Sequence, residues 1–511
     1  MKKIFCSIAV FTALCSCSFL EEKPESFVSR DNYYQTAAQC ESVVNSTYST
    51  LRTVFTTALW TITEGTTDII YEPSSSDINA ILSIGPANSV ISTTVWNNAY
   101  KMIMYANAAI QGISTSPIAD SDKASLIAEA EVMRAFWYYW LTSLFGDVPF
   151  YLQDVSDEAE LNKVAHLPRM SAVETRATLI ERLNAVLTYA GDGSYTGALP
   201  AVKASEITLG RAGWALGEML IAKMAMWNYA FDKGSNTDWN AVALTALKRL
   251  EAVYGELSQY SLDDLYFRRK NTPEVIFEIQ HVYNAAGLSY VGGVAALTTP
   301  THNSGIVYDG VSIEELGDQV KLGTHARPTL YFCGALQPNT GVDKRAKINM
   351  AWDYNGQSFA SVGTRPWMGP KFWCPYMMQN YDSNNYPLFR YADVVLLMAE
   401  CYLNLKDETN FLKYLNKVRA RAGLEDYVFV KWPKAEETLK EERARELFGE
   451  FGRKLDLVRW GVWYERVSEY TDWETLRVTM KPCHEYLPIA DKQVIYSGGA
   501  LDNKAYNQYG L

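Results

Sequence analysis

The chain is predicted to be mainly α-helical, and three stretches carry that reading. From Tyr391 the apolar residues Val394, Val395, Met398, Tyr402 and Leu405 recur at the spacing that lines one face of a 3.6-residue turn, behind a Pro387 placed where a helix begins more readily than it continues. A second series, Phe411, Leu415 and Val418, follows at once and is stopped by Gly423, so two helices joined by so short a link lie antiparallel. A third helical stretch, 436–448, is dense in charge and runs into Arg453, Asp456 and Arg459. Asp393 and Glu400 stand seven residues apart on the otherwise oily first helix, and each needs a cation if it is buried. Arg443, Arg453 and Arg459 are the candidates.

Taken in order, the chain begins with Lys2 and Lys3 ahead of an apolar run over 4–14, too short to span a bilayer and therefore read as a secretory signal. The run ends in Leu14-Cys15-Ser16-Cys17, which resembles the lipobox of bacterial lipoproteins and implies cleavage before Cys17 and acylation of that residue. Residues 1–16 are then signal peptide, 17–30 a lipid-anchored tether, and 31–511 one domain. Residues 31–51 read as a helix with Asp31 as N-cap and Val43, Val44, Thr47, Tyr48 and Leu51 on its buried face. Residues 61–88, rich in Ser, Thr, Gly and Pro, read as loop containing Glu64 and Asp68. Helices follow from Trp96, over 122–145 with Gly146 and Pro149 as the stop, and over 171–189, 206–230 and 239–253. From 261 to 386 the texture changes: residues 274–280 alternate like a short strand, and beyond them Gly, Pro, Asn and aromatics are scattered without helical period. So long a stretch between helical halves is a place where function resides.

Composition bounds the function. With 511 residues, 48% of them hydrophobic and 21% charged, the chain can bury a large core. A formal charge of −11 with no basic stripe excludes nucleic acid as a partner. Once Cys6 and Cys15 leave with the signal and Cys17 is lipidated, Cys40, Cys333, Cys374, Cys401 and Cys483 remain, widely spaced and without a CxxC pair, so neither a zinc site nor a dense disulfide framework is expected. Cys401 reads as a small buried hydrophobe. The five histidines form no HExxH, and there is no G-x-S-x-G elbow, P-loop or dinucleotide fingerprint, so no metal or cofactor is expected.

Several motifs in a fixed order carry a resemblance. Phe389-Arg390-Tyr391-Ala392-Asp393 with Glu400, Leu-Asn-Lys-Val-Arg-Ala-Arg-Ala-Gly at 415–423, Glu-Glu-Arg-Ala-Arg-Glu-Leu at 441–447, and Arg453, Asp456 and Arg459-Trp460-Gly461 resemble the SusD/RagB family of outer-membrane lipoproteins. The W-x3-Y-x2-I-x3-N spacing of Trp96, Tyr100, Ile103 and Asn107 and the aromatic helix ending at Gly146 are similar to the family as well. The closing Asn507-Gln508-Tyr509-Gly510 departs from the family's usual Gln-Asn-Pro-Gly-Tyr. The resemblance implies tetratricopeptide-like helix pairs in a SusD-like superhelix, capture of a glycan at the cell surface, and delivery to a SusC-like TonB-dependent transporter in the outer membrane. Glu21-Glu22-Lys23 resembles the acidic tag that sends such lipoproteins to the outside face of that membrane.

Sugars present flat CH faces and a rim of hydroxyls, so their sites combine exposed aromatic planes with planar hydrogen-bonding groups. The loop-rich segment supplies both. Trp352-Asp353-Tyr354-Asn355 puts two rings and two polar groups together and is the preferred cluster, with Trp367, Trp373, Tyr283 and Tyr290 next, and further aromatic and polar residues at Asn284, His302, Asn303, Tyr308 and Tyr376. Glu64, Asp68 and Trp96 are added by analogy with the face on which the family binds ligand. No residue is assigned to catalysis. Asp393 and Glu400 stand about 10 Å apart along one helix at 1.5 Å per residue, near the separation of an inverting glycosidase pair, but clustered arginines would depress the raised pKa a catalytic acid needs. A helical glycoside hydrolase acting through Glu64 and Asp68, and a scaffold that binds peptide or protein only, remain the alternatives.

Overall fold

The computed structural model describes residues 33–283, 290–299, 326–354, 366–374 and 381–511, and the backbone of the short strands at 307–308, 311–312 and 357–358. The signal, Cys17, the tether, Asn284, His302, Asn303, Asn355 and Tyr376 lie outside the described residues, and of Tyr308 and Tyr354 only the backbone is described.

Helix α1 (Ala37–Ser46) starts later than its periodicity suggests, because Thr36 and Gln39 form a reciprocal capping box. A short helix, α2 (Thr57–Thr63), precedes the loop that leads to α3 (Val90–Ser114), which begins six residues before Trp96 because the Ser89 side chain accepts the Ser92 N–H. Helix α4 (Asp120–Phe145) is buried on every side from Ala128 onward, its Arg134 paired with Glu131 within the helix, and stops at Gly146, whose φ of +71° suits glycine. It packs against α1, α3, α6 (Ala172–Val186) and α7 (Trp214–Phe231), with a solvent-facing α5 (Glu158–Ala165) between. Helix α7 starts well after residue 206; Ala204–Glu206 is a single 3-10 turn, Gly210 has φ +79°, and Gly213 is the N-cap whose carbonyl accepts the first helical bond from the Gly217 N–H. Its partner is α8 (Trp239–Tyr254), which in turn packs on α9 (Tyr391–Asn404). Helices α9 and α10 (Glu408–Arg421) form the antiparallel pair read from the sequence, ended at Gly423 with φ +84°. Helix α11 (Trp432–Glu446), with Pro433 in its first turn, and α12 (Arg453–Arg459) close over them. Hairpins α3–α4, α7–α8 and α9–α10 thus stack in series, a tetratricopeptide-like arrangement built without a sequence repeat.

The loop-rich stretch contributes short strands and turns among its described residues. Strand β1 (Val275–Ile279) pairs antiparallel with β2 (Tyr386–Arg390), Tyr386 opposite Ile279 and Arg390 opposite Val275. Residues 386–390, whose Pro387 reads in the sequence as the lead-in to a helix, are therefore a strand that clamps the start of α9 to the far end of the loop-rich stretch. The pairing lifts Arg390 into the core.

A network of buried charges joins these elements. Arg390 meets Glu450 at 2.8 Å, Glu274 at 2.9 Å and Glu446 at 2.7 Å, and Arg345 meets Asp343, Glu442 and Glu446 at 2.8–2.9 Å. Asp393 sits between Lys223 at 3.0 Å and Arg443 at 2.8 Å, and Glu400 receives Arg459 at 2.9 Å. Burial alone would raise both carboxyls, yet the cations hold them below their ordinary range. Of the three arginines singled out, Arg443 and Arg459 pair as expected. Arg453 instead binds Asp68 through Nε at 2.8 Å and Nη2 at 2.6 Å. The five described cysteines, Cys40, Cys333, Cys374, Cys401 and Cys483, are buried free thiols.

Candidate ligand-binding cleft

Of the preferred cluster, the side chains of Trp352 and Asp353 are described. Trp352 is 8% exposed and its indole N–H donates to the Ala346 carbonyl at 2.9 Å, while the adjacent Asp353 is exposed in a hairpin that pairs it with Ser358. Trp373 is fully buried, donating to Met368 O at 3.3 Å. In each case the large ring gains more by packing beneath the chain, where a carbonyl satisfies its one donor, than by standing in water. Trp367 is half-buried beside Ala351, the Tyr283 hydroxyl donates to Tyr381 O at 2.7 Å, and Tyr290 is 39% exposed with the Arg52 guanidinium 4.6 Å from its ring centre.

Glu64 and Asp68 are likewise inside and extend no ligand face. Asp68 is held by Arg453 and, at 2.8 Å, by Arg466. Glu64 accepts the Arg453 N–H at 3.0 Å, capping the start of α12 from a distant loop. Burial pushes the Glu64 carboxyl up to about 8 against the opposing pull of the Arg453 and Gly452 N–H groups. A buried carboxylic acid bonded to a helix start and a carboxylate held by two arginines thus tie this loop to α12.

Among the described residues, Trp96, itself 6% exposed, is a predicted site residue that borders a ligand-sized space. A cleft of about 360 Å³ opens between three elements, within the range of roughly 300–1,000 Å³ usual for small-molecule sites. Helix α3 supplies Trp96, Asn97, Tyr100, Lys101 and Met104; Pro149, Tyr151 and the apolar side of α5 (Leu161, Val164, Ala165) form the opposite wall; and the C-terminal segment supplies Gln493, Tyr496, Ser497 and Leu501. Local bonds hold that segment in place. Asp491 N donates to Pro86 O at 3.1 Å, Asn503 brackets Ile489 through two hydrogen bonds, and the Tyr506 hydroxyl donates to Tyr486 O at 2.6 Å. Helix α14 (Asp491–Tyr496) is thereby set against α3, leaving Tyr496 66% exposed. The second cavity of note, about 30 Å³ and enclosed by Lys223, Arg390, Asp393, Arg443 and their partners, is too small for a sugar.

The cleft offers planes and hydrogen-bonding groups together. Trp96 and Tyr100 lie with ring centres 5.0 Å apart, and Tyr100 is parallel to Tyr151 within 7°. Burial raises the Tyr100 phenol and pushes Tyr151 up to about 12, so both stay neutral hydroxyls at physiological pH. The Gln493 amide donates to Asn97 Oδ1 at 2.7 Å, which leaves the Asn97 N–H2 and the Gln493 carbonyl uncommitted. No carboxylate lines the cleft, and Lys101 is its charged residue. Sequence reasoning passed over Tyr151, Gln493 and Tyr496, since nothing local marks three residues far apart in the chain as neighbours. Tyr100, four residues from Trp96 on the same helix face, was the signal that could have been followed. Among the described residues no cluster of His, Cys, Asp and Glu is disposed to hold a metal ion, and no helix is long and apolar enough to cross a membrane.

Comparison with known proteins agrees with this architecture. Residues 18–209 match a family model described as starch-binding associating with outer membrane, and residues 375–508 match one described as the SusD family. A SusD-like protein, P25, of Formosa agariphila is 24% identical, with 98% of this chain and 97% of the relative covered. A SusD homolog from Bacteroides thetaiotaomicron superposes with a TM-score of 0.74 at 19% identity, covering 94% of this chain and 98% of that one. A surface glycan-binding protein A from the same organism, solved in complex with laminarihexaose, gives 0.67 at 19% identity over 91% and 98%.

Proposed function

This chain belongs to the SusD/RagB family, and from that premise we propose that it is a cell-surface protein that captures a glycan in the cleft between α3, α5 and the C-terminal segment. The observation that carries the reading is the cleft itself, where the exposed Tyr496 and the half-buried Tyr100 supply apolar planes, Trp96, 6% exposed, backs them from below, and Asn97 and Gln493 supply amides within one cavity of about 360 Å³. Rings give adhesion to the CH faces of a sugar; amides and phenols discriminate among hydroxyls. The solved relative that holds laminarihexaose makes a β-glucan a sensible first probe. The protein binds without altering its cargo, since Asp393, Glu400 and Asp68 are tied to cations and Glu64 caps a helix. It hands the cargo to a SusC-like TonB-dependent transporter, anchored beside it through lipid on Cys17, with residues 1–16 removed, 17–30 as tether and 31–511 as the binding domain.

Affinity electrophoresis of the soluble form, starting after Cys17, tests the site. Tyr496→Ala is expected to weaken retention on the polysaccharide that retards the wild type by about five- to tenfold, a change on the scale of one lost aromatic contact at a binding hot spot. Because Tyr496 is largely exposed, the melting temperature should not move; unchanged retention would assign binding elsewhere. For the anchor, Cys17→Ala should leave the protein unlipidated and free of the membrane fraction, and undiminished partitioning with membranes would refute lipidation there.

A further inference from the structure

We propose that Tyr331 and Tyr470 form a second sugar platform, sharing no residue with the cleft, that takes a neutral, hydroxyl-rich glycan. Tyr331 opens a π-helical turn (Tyr331–Leu336) and Tyr470 ends helix α13 (Trp463–Tyr470), so the two come from segments 139 positions apart. Their rings stack with centres 3.9 Å apart and planes within 21°. Both are half-buried, and Leu330 beside them is 45% exposed with its N–H held by Asp472 at 2.7 Å. Half-buried aromatic rings brought together at the surface from distant segments are a feature of interaction sites, and π-turns recur at functional sites.

The pair is fixed from behind. Arg466, one turn before Tyr470, donates through Nη2 to the Tyr331 hydroxyl at 2.9 Å, through Nη1 to Glu437 at 2.7 Å and through Nε to the buried Asp68 at 2.8 Å. Its guanidinium lies 5.5 and 5.2 Å from the two ring centres. Asp68 therefore links the platform to Arg453 and the start of α12, so the rings are held before any ligand arrives and little freedom is lost on contact. The class of ligand follows from charge. Arg466 is answered by Asp68 and Glu437, and the further charged neighbours Glu441, Glu469 and Asp472 are acids, which accept hydrogen bonds from hydroxyls and repel a uronate or sulfate.

The soluble form is run through gels containing laminarin, amylopectin, xyloglucan, galactomannan or, as a polyuronate, alginate. Tyr470→Ala is expected to weaken retention on the neutral polysaccharide that retards the wild type by about fivefold, the size of one aromatic contact, while Tyr470→Phe keeps it. Tyr470→Leu, which fills the space against Tyr331 without a planar face, should behave as the alanine variant with an unchanged melting temperature and so separates lost stacking from lost folding. Retention untouched by Tyr470→Ala and Tyr470→Leu but lost in Tyr496→Ala overturns the platform and leaves the cleft standing. The reverse pattern keeps the platform and removes the cleft. Retention of the wild type on alginate alone, weakened by Tyr470→Ala, overturns the neutral class, and retention by no polysaccharide overturns both sites.

Discussion

Replacing Arg390 with methionine is expected to cost about 3–5 kcal/mol of folding stability, the range found when one member of a buried ion network is removed and its partners stay charged. Arg390 is 2% exposed and faces Glu274, Glu446 and Glu450, besides donating to the Glu446 carbonyl. Methionine fills the volume but answers none of the three carboxylates. Arg421 and Arg345 still reach Glu446, and Lys371 still reaches Glu450 at 2.6 Å, so the loss should be a large shift in midpoint and not an inability to fold. Urea denaturation followed by tryptophan fluorescence at pH 7 reads it. Lys434→Ala, which breaks a 3.9 Å surface pair with Glu441, should leave the midpoint in place. Equal midpoints for wild type and the Arg390 variant would mean that helix packing alone carries the scaffold.

The second large effect is a pH-dependent one. Glu64→Gln should be nearly neutral at pH 5 and stabilising by something on the order of 4 kcal/mol at pH 9, since each tenfold change in proton affinity between the folded and unfolded chain is worth about 1.4 kcal/mol. Burial raises the Glu64 carboxyl from 4.5 to about 8, so the folded chain holds this proton more tightly than the unfolded one. The stabilisation linked to that proton is complete below pH 4.5 and is lost as the pH rises through 8. Glutamine keeps an acceptor for the Arg453 N–H without the proton to lose. Melting temperatures of the two proteins between pH 5 and 9 should diverge upward for the variant. Parallel curves would show that Glu64 is ionised in the fold throughout. Glu72 and Asp382, each raised by burial to about 7, add to the same trend in both proteins, while Lys454, lowered by burial to about 7, opposes it above neutrality.

Local pattern was a sound guide where a residue's partner lay within its own helix or the next. The apolar face of α9, its antiparallel partner α10 and the stops at Gly146 and Gly423 follow from a 3.6-residue period and from glycine's tolerance of positive φ. The need of Asp393 and Glu400 for cations was also legible, because a carboxylate on an apolar helix face has few alternatives. Which cation answered was not. Lys223, 170 positions away on α7, shares Asp393 with Arg443, and Arg453 turned to Asp68.

The candidate site shows the same division more sharply. Aromatic content was visible in the residues, but a ring in a loop has no period to say whether it faces water, so Trp352 and Trp373 could be named and not oriented. Trp96, Tyr151 and Tyr496 meet only because α3 and α4 form a hairpin and the C-terminal segment folds back onto α3. Spacing along the chain was enough to establish a mainly helical protein and its likeness to the SusD/RagB family, since those properties rest on residues close together in sequence. Which acids are ties, which rings are exposed and where a cleft opens were settled by the folded chain, because burial and cavity shape belong to surfaces that chain-distant segments make together.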